Sequence, residues 1–68
     1  MKNSKRANPV IQEALQIVLN RPGMTQKKFA KKSRVPLATV NTAAKYGLMS
    51  PKSEYKIAVA IEKINHPK

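Results

Sequence analysis

The sequence predicts a small all-α domain of four helices. Two helix-start signatures, Asn8-Pro9 and Ser50-Pro51, frame the chain. Between and after them, apolar residues recur at three- and four-residue spacing, broken by Pro and Gly. The length of 68 residues fits one domain. A chain of this size buries only ~60% of the surface its unfolded state exposes. Its 41% of apolar residues suffice for a compact helical core but not for a deep catalytic cavity.

Residues 1–7 are polar and basic and read as a flexible basic arm. The first helix starts with Asn8 as cap and Pro9 at the first helical position. Val10, Ile11, Ala14, Leu15 and Val18 form its apolar stripe, with Gln12, Glu13 and Gln16 outside it. Asn20-Arg21-Pro22-Gly23 stops it near residue 20. Thr25 caps a short second helix from Gln26 to about Ser33. Pro36 disfavours helical geometry at Val35, so a break is expected there. The third helix runs from Leu37 to about Lys45, and Gly47 ends it. Ser50-Pro51 opens a fourth helix toward Ile64, ended by His66-Pro67. There are no internal repeats.

The last element carries two signatures. Tyr55, Ile57, Val59 and Ile61 alternate strictly, as in a strand. The alanines, Glu54 and the Ser-Pro start favour a helix over 52–64, with Ile57, Ala60, Ile61 and Ile64 facing inward. A strand here would be free to pair with a second subunit.

Charge narrows the function. Fourteen Lys and Arg oppose three acids, for a net charge of +11. No acid lies between Glu13 and Glu54, an interval that holds eight basic residues. Such imbalance destabilises a compact state by self-repulsion, so a polyanionic partner is expected, and nucleic acid comes first. There is no cysteine, hence neither a disulfide framework nor a thiolate metal site. No apolar run approaches the ~20 residues of a membrane span, and the basic N-terminus lacks the apolar stretch of a signal peptide. A cytoplasmic protein without membrane contact is expected.

The two middle helices differ in character. At ~100° per residue, Phe29, Ala30 and Ser33 share one side of the second helix. Lys27, Lys28, Lys31 and Lys32 cover the rest as two i,i+4 pairs, each mildly repulsive by ~0.2–0.5 kcal/mol. A nearby phosphate backbone accounts for that choice. On the third helix Val40, Ala43 and Ala44 share a face. The opposite face collects Ala38, Asn41, Thr42 and Lys45, with Leu37 at its edge. Low bulk together with Asn, Thr and Lys is what a helix entering a major groove needs.

Residues Gln26 to Lys45 resemble the helix-turn-helix of lambda-repressor-like proteins, which include phage repressors and Cro proteins. The likeness rests on Thr25-Gln26, the apolar Phe29 and small Ala30 where the helices cross, Val35 after the turn, and buried Val40. Gly47, Pro51 and the run Ile57-Ala58 to Ala60-Ile61 echo the family's following loop and fourth helix. Two departures stand out: Arg34 occupies the turn position usually held by Gly, and Pro36 stands where a Ser or Thr cap is usual.

The resemblance implies a DNA-binding domain over residues 8–66 and a transcriptional repressor of the phage or plasmid Cro type. Leu37, Ala38, Asn41, Thr42 and Lys45 match the groove-facing, base-contacting positions. An exposed Leu37 would meet a thymine methyl. Gln26 would anchor a phosphate, and Lys27, Lys28, Lys31, Lys32 and Arg34 would bind phosphates without reading sequence. Lys2, Lys5 and Arg6 form either an arm tracking DNA or a solubilising tail. On a helical fourth element Tyr55 and Val59 lie one turn apart, away from the core face. They mark an expected homodimer contact on a pseudo-palindromic, operator-like duplex.

Little supports catalysis. His66 is the only histidine, and Glu13, Glu54 and Glu62 show no spacing of an acid–base pair. No Gly-rich phosphate loop or Cys/His cluster is present, and three aromatics make a poor stacking platform for single strands. No cofactor, metal or small-molecule ligand is expected. Two other functions remain open: an architectural or excisionase-type DNA-shaping factor, and an antitoxin-like protein-interaction module.

Overall fold

A computed structural model describes residues 6–66. Four helices and one minimal sheet follow in the order β1 (Arg6–Ala7), α1 (Pro9–Leu19), α2 (Gln26–Ser33), α3 (Leu37–Tyr46), β2 (Leu48–Met49) and α4 (Pro51–Asn65). The chain is therefore a small all-α domain, and the segment with alternating apolar residues is helical. Lys2 and Lys5 of the expected basic arm lie outside the described residues. The arm's last two residues are not free: Arg6 pairs with Met49 and Ala7 with Leu48, antiparallel. The backbone of Asn8 continues the clip by donating to the Gly47 carbonyl at 2.9 Å.

Local chemistry explains three helix starts. The Asn8 side chain accepts from the Ile11 amide at 3.1 Å, Thr25 Oγ1 from Lys28 at 3.1 Å, and Ser50 Oγ from Ser53 at 3.3 Å. Each satisfies an amide that a first turn leaves without a partner. α3 is the exception. Pro36 precedes it and offers no side-chain cap.

Both ends of the α2–α3 pair turn left-handed. Arg34 sits at φ 60° and ψ 38°, and its amide donates to the Ala30 carbonyl. A glycine would hold this conformation without the Cβ clash, which costs ~1–2 kcal/mol. Gly47 sits at φ 73° and donates to the Ala43 carbonyl at 2.9 Å. Here the backbone favours glycine, and an added Cβ would also lie 2.7 Å from Gln12 Oε1, the end of a side chain that would have to move.

The core gathers Phe29, Leu15, Met49, Ile57, Val18 and Val40, all fully buried. Every helix contributes, as does β2 through Met49. Ile57, Ala60 and Ile61 form the buried face of α4, and Ile64 packs against its edge. Burial of such side chains contributes roughly 1.5–3 kcal/mol each. The one buried polar side chain among the described residues, Ser33, donates its hydroxyl to the Phe29 carbonyl at 2.9 Å. It is therefore satisfied within its own helix.

Candidate nucleic-acid interface

α3 turns two unlike sides to its surroundings. Val40, Ala43 and Ala44 are buried. Ala38, Asn41 and Lys45 are exposed, Thr42 is half-buried, and Leu37 at the edge is 46% exposed. The five residues expected on the outer face thus do share it. Tyr46, 61% exposed, borders the same face. The sequence offered a cue to it, since Tyr46 follows Thr42 by one helical turn.

The outer side chains are not equally free. Thr42 Oγ1 donates to the Ala38 carbonyl at 3.0 Å, so its proton is committed and its lone pairs remain to accept. Lys45 Nζ lies 5.7 Å from the centroid of the Tyr46 ring, within cation–π range. Asn41 is exposed, on a helix face whose neighbour Ala38 has almost no bulk.

Beyond the packing of Val40, Ala43 and Ala44 in the core, side chains of α1 hold the C-terminal end of α3. From α1, Gln16 Nε2 donates to the Ala44 carbonyl at 2.8 Å. Gln12 Nε2 reaches the carbonyls of Ala44 and Lys45, both at 3.3 Å. These two side chains, outside the apolar stripe of α1, satisfy carbonyls that a helix end leaves open. One turn away, Asn8 Nδ2 donates to Glu54 Oε2 and ties the start of α1 to the first turn of α4.

The lysines of α2 divide between two sides. Lys27, Lys28 and Lys31 surround a depression of about 540 Å³ with Thr25, Ala30 and Val35. Lys28 Nζ donates to the Gly23 carbonyl at 2.9 Å, which braces the preceding turn. Lys32 and Arg34 line a different groove, shared with α4. The basic residues of the α2 stretch are thus not one cluster. Gln26 is half-buried at the N-terminus of α2, where backbone amides favour an anion. Tyr55 is 72% exposed and Val59 half-buried, both beside that second groove.

Among the described residues no helix is long and apolar enough to cross a membrane. No protein-family model, curated protein or solved structure matches the chain.

Proposed function

We propose that this protein binds double-stranded DNA sequence-specifically, with the outer face of α3 in the major groove, and represses transcription in the manner of phage or plasmid Cro regulators. The observation that carries the reading is the composition of that face. Ala38, Asn41 and Lys45 stand exposed on a helix whose other side is locked into the core. Small and hydrogen-bonding residues admit a helix to within reach of base edges. Lys27, Lys28 and Lys31 on the preceding helix supply cations for the flanking phosphates. On a pseudo-palindromic operator, two copies would occupy half-sites about one helical turn apart.

The test is selection of duplex sites from a random pool, followed by titration of the recovered site at several salt concentrations. A defined half-site should emerge. The log–log slope of affinity against salt should be steep, at about −0.9 per phosphate contacted, and should shrink by about two contacts' worth in a Lys27→Ala/Lys31→Ala protein. Absence of an enriched sequence, or an affinity indifferent to salt, would overturn the reading.

A further inference from the structure

The groove between α2 and α4 is built from two adjoining depressions of about 370 and 460 Å³ that share Lys32, Ala60 and Lys63. Its floor is apolar at one end, where Met24, Ala60 and Ile64 lie, and runs past Val59 into a more polar end that holds Ser33 and the exposed Tyr55. Its banks are cationic, with Lys32 and Arg34 on one side and Lys56 and Lys63 on the other. None of the chain's three glutamates lines it.

Four like charges around one concavity are unfavourable on their own. One of them, Arg34, is also held in a left-handed conformation, at φ 60°, that suits glycine. Strain retained at such a position is characteristic of sites where the side chain serves a partner. The partner must therefore be anionic. It must also carry apolar groups, because a phosphodiester chain would meet the banks and leave the floor wet. A second copy of this chain fits poorly. A two-fold contact through Tyr55 and Val59 would set one ring of four cations against an identical ring. From these constraints we propose that the α2–α4 groove docks an acidic, amphipathic segment of a partner protein, its apolar side chains on the floor and its carboxylates on the banks. The groove lies on the side of α2 away from Lys27 and Lys31, so this partner is additional to DNA, and the inference does not depend on the DNA-binding reading.

The test uses the full chain, isotopically labelled for amide NMR. The probe is a synthetic peptide of roughly three helical turns, with leucines at i, i+3/i+4 and i+7 and glutamates elsewhere. Shifts should concentrate at residues 32–34 and 55–64 and spare 37–45. Replacing the probe's leucines by serine should weaken binding by about tenfold or more. A Lys56→Glu/Lys63→Glu protein should lose binding to a similar extent, with Lys27→Glu/Lys31→Glu as the charge-matched control that keeps it. The shift map on the unaltered protein stands even if a variant folds poorly. Three results would each overturn the inference: equal binding of the serine probe, duplex DNA shifting the same groove amides, or concentration-dependent shifts of those amides without any probe. The last would instead mark a contact between copies.

Discussion

Asn41 and Arg34 represent opposite kinds of residue, one with a free side chain and the other with a constrained backbone. The Asn41 amide can hydrogen-bond adenine N6 and N7 together, a discrimination of ~1–3 kcal/mol for a good bidentate pair. Asn41→Ala leaves the buried Val40, Ala43 and Ala44 untouched. Its melting temperature and non-specific binding should equal those of the parent, while preference at one base pair of each half-site should disappear. Titration against single-base variants of the selected site checks this, and retained preference would remove Asn41 from base reading. At Arg34 the expected change is in stability. Arg34→Gly relieves the left-handed strain but frees the unfolded chain, for a net gain of about 0.5–1 kcal/mol in urea denaturation. A loss would mean that contacts of the arginine side chain outweigh the strain.

At the scale of elements, α3 is secured at one end and bare at the other. Gln12 and Gln16 hold its last carbonyls, whereas Pro36 provides no cap for its first amides. Gly47→Ala tests the secured end. The backbone penalty is ~1–2 kcal/mol, and the new Cβ, 2.7 Å from Gln12 Oε1, must also shift the end of that side chain, which strains its bonds to the carbonyls. In a Gln12→Ala background the second part should vanish, so the substitution should cost measurably less there by chemical denaturation. Equal costs in the two backgrounds would show that Gln12 contributes nothing. The sequence made the other three helix starts legible because a cap is local chemistry: Asn8, Thr25 and Ser50 each act within three residues. Residues three or four apart likewise disclosed which sides of α2, α3 and α4 face inward. What stayed hidden depends on partners far along the chain. The β1–β2 clip, the docking of Gln12 and Gln16 on α3, and the burial of Met49 have no local signature. The lysines of α2 show the same divide. Their spacing revealed that they surround the helix, but only its neighbours determine that Lys32 and Arg34 look toward α4 while Lys27 and Lys31 look elsewhere.

Over the whole molecule, unbalanced charge outweighs other electrostatic effects, at +11 on 68 residues. Salt should therefore act in opposite directions on folding and on DNA binding. Screening of self-repulsion at a Debye length of about 8–10 Å should raise the melting temperature as salt increases from low millimolar to ~0.15 M. DNA affinity should fall over the same range. A melting temperature that drops with added salt would show that attractive ion pairs, not repulsion, govern the fold. The molecule is also closed on itself by contacts between distant parts of the chain. Asn8 meets Glu54 across 46 residues, and Arg21 Nη2 donates to Asn65 Oδ1, 44 residues away. Closing such loops costs entropy that short-range helix contacts avoid, which places these links late on the folding route. They should then govern how long the native state lasts rather than how fast it forms. Asn8→Gly keeps most of the capping preference of that position while removing the donor to Glu54. In stopped-flow denaturant jumps its unfolding arm should rise several-fold and its refolding arm should stay in place, so that the Asn8–Glu54 link works as a latch on the lifetime of the folded molecule.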